Sequence, residues 1–355
     1  MRAVVVAGAG LAATRCAETL RAEGFEGRLA VLGAEPVAPY ERPALSKEFL
    51  AGTKPAERLS LRPPGFWAER GIELRVGDRV AGVDASSRVA VTRSGALYRW
   101  DALVVATGAY PRRLPFPAPA GVHGLRTLAD AEALRHELVP GTRLVVVGGG
   151  FVGAEVASTA RGLGVEVALL ERGPAPFAGL LGAELGDTLA ARFRTHRVDL
   201  RTGVTAAGFR TDADGRVCGV ALDDGTTVAC DTVLVAIGVE RSGELALRDA
   251  PGVHVVGDAA GGHGHWTDAS TGGVAVARRL LGLEPLPAQP PFVWSDQFGL
   301  RLQLVGEPAR AATIELDGGP ADFVARYRAR SGALVGAVAA NRPDAVGALR
   351  RELAA

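Results

Sequence analysis

The chain has 355 residues, of which 48% are hydrophobic and 22% are charged, and its formal net charge at pH 7 is +1. This composition is that of a globular protein of roughly two domains, and it excludes a disordered tail, a coiled coil and a collagen-like repeat. The near-neutral charge also argues against a nucleic-acid binder, because such proteins usually carry a strong basic excess.

The cysteines and the apolar runs bear on the compartment. Cys16, Cys218 and Cys230 are scattered and form no CxxC motif, as is typical of proteins in a reducing compartment. No apolar run reaches the roughly 18 residues of a membrane-spanning helix. We therefore predict a cytoplasmic protein that binds neither membrane nor nucleic acid. His263 and His265 lie close together, but a loop pair explains them better than a metal site, so no metal is predicted.

The first part of the chain predicts a βαβ unit. A short apolar run is followed by a glycine-rich turn, a helical pattern, a second apolar run and an acidic residue, Glu35. A proline-rich, irregular stretch comes next over residues 38–66, and further short strands follow it. The predicted strands are 3–7, 29–32, three within 72–92, and 102–106, and the predicted helices are 11–22 and 46–50.

The same pattern begins again after a proline-rich stretch at residues 111–121. Gly148 opens a second glycine-rich turn 140 residues after Gly8, and an acidic residue, Glu171, again ends the strand that follows. This internal repeat predicts two doubly wound units in one chain. The predicted strands are 144–147, 165–170, 217–222 and 228–236, and the predicted helix is 152–163.

The last part of the chain has a different character. It follows a second proline-rich stretch, residues 284–291, and alternates polar and apolar residues before a helical pattern at 343–353. Alternation of this kind favours strands with one buried face. We expect a small α+β domain with a partly antiparallel sheet.

The first glycine turn, residues 8–13, reads Gly-Ala-Gly-Leu-Ala-Ala. In a dinucleotide fingerprint Gly8 permits the tight turn, Gly10 lets the backbone approach a pyrophosphate, and Ala13 is small where helix meets strand. The helix that begins at Leu11 and Ala12 then offers free N–H groups to the phosphates. Glu35 is placed to accept hydrogen bonds from ribose hydroxyls. An empty doubly wound unit is the alternative to a dinucleotide site here.

The second glycine turn, residues 148–153, reads Gly-Gly-Gly-Phe-Val-Gly, with Gly148, Gly150 and Gly153 at the three fingerprint positions. Phe151 and Val152 begin the helix that follows. An acid at the strand end repels a 2′-phosphate, so Glu171 favours NADH over NADPH. Arg172 beside it keeps NADPH as the alternative.

Two dinucleotide sites in one chain suggest two dinucleotides, a tightly held flavin and an exchanging nicotinamide, with hydride transfer between them. We therefore predict an α/β protein with two Rossmann-like dinucleotide-binding domains and a small C-terminal α+β domain.

Two longer motifs give the chain a family resemblance. Residues 39–47 read PYERPALSK and residues 294–298 read WSDQF, with ATG at 106–108 and GDA at 257–259. These motifs resemble those of FAD-dependent ferredoxin reductases that serve oxygenases, within the pyridine nucleotide-disulfide oxidoreductase superfamily. No cysteine lies between residues 17 and 217, so the redox disulfide of other superfamily members is missing.

The resemblance implies a domain arrangement in which the NAD domain is inserted in the FAD domain. The boundaries expected from it are 1–112 and 241–288 for the FAD-binding domain, 113–240 for the NAD-binding domain, and 289–355 for a C-terminal, dimerisation-like reductase domain.

The resemblance also implies roles for individual residues. Lys47 and Glu155 match a pair near the flavin and nicotinamide rings, where a lysine stabilises negative charge on reduced flavin and a carboxylate orients the nicotinamide. The implied FAD contacts are Ala12, Glu35, Arg42, Lys47, Val80, Thr107, Gly108, Arg126, Asp258 and Trp266. The implied nicotinamide-dinucleotide contacts are Gly150, Val152, Glu171 and Gly238.

By this resemblance the expected activity is electron transfer from NADH through FAD to a small, acidic two-iron, two-sulfur ferredoxin that feeds an oxygenase. A basic docking face is then expected, with Arg70, Arg310 and Arg328 as candidates, and a homodimer through the C-terminal domain is an option. The alternatives are an NADH oxidase or diaphorase, and a degenerate flavin-binding redox sensor. The last rests on segments 240–251 and 259–265, which are short for the family and flank the flavin.

Overall fold

The computed structural model describes residues 1–243, 245, 250–261 and 265–354. His263 and parts of the two short segments singled out above therefore lie outside the described residues. Contacts between Cα atoms divide the chain into two units. The first comprises Met1–Arg42, Ala56–Tyr110 and Val239–Ala288, and the second comprises Pro43–Pro55, Pro111–Gly238 and Gln289–Ala355.

Strands and helices are numbered here in chain order. The strands are β1 (Ala3–Ala7), β2 (Arg28–Leu32), β3 (Ile72–Arg75), β4 (Val80–Asp84), β5 (Val89–Thr92), β6 (Leu97–Arg99), β7 (Ala102–Val105), β8 (Ala109–Pro111), β9 (Val122–His123), β10 (Arg143–Val147), β11 (Glu166–Glu171), β12 (Val198–Thr202), β13 (Ala206–Thr211), β14 (Val217–Leu222), β15 (Thr227–Ala229), β16 (Thr232–Val235), β17 (Val239–Arg241), β18 (Val253–Val255), β19 (Phe292–Gln297), β20 (Leu300–Gly306), β21 (Thr313–Gly319), β22 (Asp322–Arg328) and β23 (Leu334–Ala340). The α-helices are α1 (Leu11–Ala22), α2 (Phe66–Glu69), α3 (Leu128–Glu137), α4 (Phe151–Gly162), α5 (Ala178–Leu181), α6 (Ala183–Thr195), α7 (Trp266–Leu280) and α8 (Pro343–Ala354).

The first unit is built on a parallel sheet with the strand order β18-β7-β1-β2-β3. Its central strand β1 is a run of small apolar residues that is buried along nearly its whole length. Such continuous apolar strands are typical of parallel sheets covered on both faces. β4, β5 and β6 form a separate antiparallel sheet inserted between β3 and β7.

The second unit repeats this plan. Its parallel sheet has the order β12-β11-β10-β16-β9, and the antiparallel sheet β13-β14-β15 is inserted between β12 and β16. β10, β11, β12 and β16 therefore occupy the places that β1, β2, β3 and β7 hold in the first unit. The predicted internal repeat and the predicted α/β class are confirmed.

The C-terminal residues form an antiparallel sheet with the order β19-β20-β23-β22-β21, followed by α8. Leu302, Phe323 and Tyr327 of this sheet share one buried cluster with Leu144 and Leu169 of the parallel sheet in the same unit. The predicted α+β character is confirmed. The predicted domain boundaries stay a prediction.

Two local predictions were wrong. Residues 46–50, predicted as a helix, form turns that follow a short 3₁₀ helix at Arg42–Ala44. The amides of Lys47 and Phe49 both donate to the carbonyl of Ala44, a pattern that no regular helix has. The strand expected over 228–236 is two strands, because β15 pairs with β14 in the antiparallel sheet whereas β16 pairs with β10 in the parallel sheet. Among the described residues no helix is long and apolar enough to cross a bilayer.

Candidate functional site

The first glycine turn joins β1 to α1. Gly8 has a φ of +114°, and a Cβ at this position would lie 2.1 Å from the carbonyl oxygen of Ala106. No other residue fits so close to the neighbouring strand end. Gly10 then precedes α1, whose first-turn amides are not bonded within the helix. The turn therefore has the form of a phosphate-binding helix start.

Helix α7 packs closely against α1 beside this turn. A Cβ on Gly273 would lie 2.3 Å from the carbonyl oxygen of Ala12, and one on Gly257 would lie 3.1 Å from the Cβ of Ala12. Ala13 is fully buried. Asp258 lies in the 3₁₀ helix Gly257–Ala260 and Trp266 begins α7. The structure thus brings two C-terminal candidates of the first unit to the same packed helix pair as the fingerprint.

Glu35 is held from two sides just after β2. Its carboxylate accepts 2.7 Å hydrogen bonds from the Tyr40 hydroxyl and from the Arg42 guanidinium. The sequence predicted Glu35 and Arg42 as separate contacts and gave Tyr40 no role. A tyrosine five residues after the acid, within the PYERP motif, was the available signal. The three residues form one hydrogen-bonded polar group just after β2, at the position where the sequence predicted a ribose contact.

The loop before β4 supports this group. The amide of Gly77 donates to the carbonyl of Glu35 at 2.8 Å, and the amide of Asp78 donates to that of Gly33 at 2.9 Å. Hydrogen bonds from Ser94 lower the pKa of Asp78 to about 2. Val80, the implied adenine contact, follows directly and is buried. Val80 therefore follows a loop that is hydrogen-bonded to Gly33 and Glu35.

Thr107 provides a test of whether a ligand fits. Its hydroxyl is buried and has no hydrogen-bond partner among the described residues. Buried hydroxyls in native proteins are nearly always bonded, so the Thr107 hydroxyl is a candidate partner for a bound ligand. Gly108, with a φ of +78°, follows it. The helix-start amides, the Glu35 carboxylate and the Thr107 hydroxyl are groups that suit a dinucleotide.

The second glycine turn joins β10 to α4. Gly148 has a φ of +107°, and its Cβ would lie 2.5 Å from the carbonyl oxygen of Ala236. A Cβ on Gly153 would lie 2.0 Å from the carbonyl oxygen of Gly148. This contact explains why the third fingerprint position is glycine here. Gly150 precedes α4 as Gly10 precedes α1.

Glu171 lies at the end of β11 beside that turn. Its two carboxylate oxygens accept hydrogen bonds from the amides of Gly149, at 2.8 Å, and Gly173, at 2.6 Å. The residue lines a pocket of about 410 Å³ together with Phe151 and the exposed Arg172. The remaining lone pairs of a fixed carboxylate suit ribose hydroxyls.

The other candidates of the second unit belong to different elements. Val152, in the first turn of α4, is 39% exposed. Gly238, with a φ of +96°, accepts a backbone hydrogen bond from Arg112. The amide of Arg126 donates to Asp130 before α3. Arg126 and Lys47 therefore belong to the second unit, whereas the other implied FAD contacts belong to the first.

Lys47 and Glu155 form a buried ion pair within the second unit. The Lys47 Nζ atom lies 2.9 Å from Glu155 Oε2, and the two side chains are 12% and 6% exposed. Ser46 donates to the same oxygen at 2.5 Å, and Ser295 donates to Oε1 at 2.8 Å. The sequence identified the pair but missed both serines. They stand in the LSK and WSDQ motifs, which were the signals that pointed to them.

The three arginines predicted as docking residues differ in their contacts. Arg310 bonds Glu307, and Arg328 bonds Glu315 and Glu352, so these two are engaged in surface ion pairs. Arg70 is exposed and lies over the Phe66 ring. Over the described ranges, no three His, Cys, Asp or Glu side chains come together as a metal site requires.

Comparisons with known proteins show the family of the chain. A family model described as pyridine nucleotide-disulphide oxidoreductase matches residues 2–262, and one described as reductase C-terminal matches residues 292–355. The ferredoxin–NAD(+) reductase component of the biphenyl dioxygenase system of Paraburkholderia xenovorans (strain LB400) is 36% identical, over 93% of this chain and 85% of its own. A ferredoxin–NAD(P)(+) reductase of a Sphingomonas species is 34% identical, over 90% and 84%.

A solved structure of similar fold is that of the covalent putidaredoxin reductase–putidaredoxin complex. It has a TM-score of 0.95 and 30% sequence identity, and the match covers 99% of this chain and 93% of that one. The resemblance carried by residues 39–47 and 294–298 is thereby confirmed.

Proposed function

Since the chain belongs to the pyridine nucleotide-disulphide oxidoreductase family and carries its C-terminal reductase domain, we propose that it transfers electrons from NADH through FAD to a ferredoxin that feeds an oxygenase. The observation that supports this function is the presence of two strand–glycine turn–helix units in one chain, at Gly8 and at Gly148, which we call the first and the second cradle. The ferredoxin reductases among its relatives support the choice of acceptor.

FAD belongs to the first cradle in this proposal. The first-turn amides of α1 bind the pyrophosphate, and the Glu35 carboxylate accepts from the adenosine ribose, with Tyr40 and Arg42 holding it. The unpaired Thr107 hydroxyl bonds the flavin portion. When bound, FAD supplies a centre that accepts two electrons together and releases them one at a time. The further proposed contacts are Ala12, Val80, Gly108, Arg126, Asp258 and Trp266.

NADH belongs to the second cradle. Its pyrophosphate lies at the start of α4, and the Glu171 carboxylate accepts from the adenosine ribose. Because two backbone amides fix that carboxylate, it does not turn away from a 2′-phosphate, and NADH is preferred over NADPH. Arg172 lines the same pocket and reduces this preference. Val152 and Gly238 are the further proposed contacts.

Lys47 and Glu155 serve the hydride transfer itself. The ammonium group stabilises negative charge as it develops on the reduced flavin, and the carboxylate orients the nicotinamide and keeps the lysine in place. Burial supports this role, because an ion pair that is 12% and 6% exposed acts in a medium where charges interact more strongly than in water. No proton has to move to a general base in this scheme.

The proposed acceptor is a small, acidic two-iron, two-sulfur ferredoxin, with Arg70 as one docking cation because it is exposed. The proposed compartment is the cytoplasm, supported by three free cysteines. Whether two copies pair through the C-terminal domain stays a prediction.

An anaerobic absorbance titration tests the function. The purified protein is titrated with NADH and, separately, with NADPH, and we expect NADH to bleach an oxidised-flavin band at lower concentration. A panel of acceptors follows: ferredoxins, quinones and oxygen. A fast rate with oxygen or quinone alone would identify an oxidase or diaphorase. A flavin that neither nucleotide bleaches would overturn the proposal in favour of a redox sensor.

A further inference from the structure

Strand β19 places two buried polar side chains on one face. Ser295 and Gln297 are 0% and 3% exposed, and they are separated by one residue, so both point to the same side of the strand. A buried serine hydroxyl on a strand interior is almost always bonded. Here the Ser295 hydroxyl donates to Glu155 Oε1 at 2.8 Å.

The hydrogen bonds divide the two oxygens of the Glu155 carboxylate between different partners. Oε1 accepts from Ser295, and Oε2 accepts from Ser46 and forms the ion pair with Lys47. The amide of Gln297 in turn donates to the Ser295 hydroxyl at 3.4 Å. A chain of polar contacts therefore runs from the C-terminal sheet to Lys47.

Loss of the Ser295 hydroxyl would leave Oε1 without its donor at a nearly buried position. An unpaired, buried carboxylate oxygen is costly, so the carboxylate would rotate to recover a partner. Rotation moves Oε2, and Lys47 loses the fixed oxygen that now holds it. Loss of the Ser295 hydroxyl therefore displaces Lys47, although the hydrogen bonds described above join the two residues only through Glu155.

We propose that Ser295 is a positioning residue for hydride transfer, acting on Lys47 through Glu155. The proposal rests on the proposed function of the Lys47–Glu155 pair and deepens it. It assigns the C-terminal reductase domain a part in holding the hydride-transfer residues, in addition to any part in docking an acceptor.

The chain offers a matched control on the same helix. Ser158 of α4 accepts a 2.7 Å hydrogen bond from the amide of Phe298, directly after β19. It therefore links the same helix to the same end of the C-terminal sheet, but its bond involves neither Glu155 nor Lys47. Ser158→Ala weakens the docking of β19 on α4 and leaves the carboxylate in place.

Amine labelling tests the contact directly, without flavin or turnover. The sequence contains two lysines, Lys47 and Lys54, so peptide mass spectrometry of the full-length protein treated with acetic anhydride reports both, with Lys54 as the internal reference. We expect Ser295→Ala to raise the labelling rate of Lys47 relative to Lys54 about tenfold, the scale of one charge-assisted hydrogen bond. Ser295→Thr, which keeps the hydroxyl, and Ser158→Ala should both match the wild type.

A double-mutant cycle tests the route of the effect. In anaerobic stopped-flow experiments, Ser295→Ala should lower the limiting rate of FAD reduction by NADH about tenfold, with little change in the NADH concentration at half-saturation. In a Glu155→Gln background the same change should cause no further loss, because the residue acts through the carboxylate. Equal losses in both backgrounds, or a loss in Ser158→Ala as large as in Ser295→Ala, would overturn the proposal.

The two proposals fail in distinguishable ways. If NADH does not reduce the wild-type flavin, the proposed function is wrong, and the labelling ratio still decides whether Ser295 holds Lys47 through Glu155. If the wild type is reduced normally and Ser295→Ala leaves both the labelling ratio and the reduction rate unchanged, the positioning role alone is wrong.

Discussion

A Cβ on Gly153 would lie 2.0 Å from the carbonyl oxygen of Gly148, so α4 and the turn before it are in backbone contact. Gly153→Ala must push the helix away from the turn that binds the pyrophosphate. We expect a loss of about 1–3 kcal/mol in the free energy of unfolding from overpacking and at least tenfold weaker NADH binding. Thermal unfolding and fluorescence titration measure the two effects.

Gly162, at the other end of α4, is the matched control. In the described part of the chain nothing lies within 4 Å of a Cβ placed there. Gly162→Ala should stabilise the helix by about 0.5–1 kcal/mol and leave NADH binding unchanged. Equal behaviour of the two variants would contradict the role assigned to the contact.

Thr107→Val replaces a buried, unpaired hydroxyl with a methyl group of similar size. The apoprotein should gain stability, on the order of 1 kcal/mol, because a desolvated hydroxyl is removed. FAD affinity should fall about tenfold, because the ligand loses its partner. The comparison variant is Thr92→Val, since that hydroxyl is bonded to Ser94 and Ala96; it should destabilise the apoprotein. A destabilised Thr107→Val apoprotein with normal FAD binding would be the opposite result.

Glu171→Gln removes the charge that two backbone amides hold beside the predicted ribose site. Repulsion of a 2′-phosphate disappears and acceptance from ribose hydroxyls weakens, so the ratio of NADH to NADPH efficiency should fall about tenfold. Steady-state kcat/KM for both nucleotides measures the ratio. The control is Glu166→Gln, at the exposed start of the same strand, which should leave the ratio unchanged. A lower ratio in both variants would show that the loss of any nearby negative charge is sufficient.

The three thiols should differ in reactivity. Burial raises the pKa of Cys16 to about 12, and burial together with Asp231 raises that of Cys230 to about 12. Cys218 is exposed. Because the thiolate is the nucleophile, iodoacetamide at pH 8 should modify Cys218 alone in the native protein and all three residues after unfolding. Mass spectrometry gives the count, and Cys218→Ser should leave the native protein unmodified.

Asp78 should contribute stability that depends on acid pH. Its pKa is lowered to about 2, first by the Ser94 hydroxyl, from an unfolded value near 3.8. A carboxyl group whose pKa is lower in the folded than in the unfolded protein stabilises the fold at pH values above the unfolded pKa. This contribution is lost as the pH falls from about 4 to about 2. The difference in urea midpoint between wild type and Asp78→Asn should therefore be larger at pH 6 than at pH 3. A difference independent of pH would assign it to packing.

The sequence predicted the repeated units well because their signals are local. The run at residues 3–7 and the helix at 11–22 were found with the predicted bounds, since an apolar run and a glycine turn lie side by side in the chain. The acids after both second strands were predicted for the same reason.

Contacts between distant residues were harder to predict. Ser46 and Ser295 are 249 residues apart in the chain and meet at Glu155 only in the folded protein. Neither periodicity nor spacing reports such a meeting, and the motifs marked the serines without giving their partner. The helix predicted at 46–50 failed for a related reason, because Ser46 bonds Glu155 and its carbonyl accepts from Thr159.

The split of the first parallel sheet has a consequence for synthesis on the ribosome. β18, its edge strand beside β7, begins at Val253, after residues 122–235, which hold all five strands of the second parallel sheet. All strands of the second sheet are therefore synthesised before the first sheet is complete. One edge of β7 stays unpaired while about 150 further residues are translated, which takes roughly 8–30 s at 5–20 residues per second. An exposed parallel edge of this kind is a template for wrong pairing. Slowed translation between β7 and β18 should therefore lower the yield of native protein.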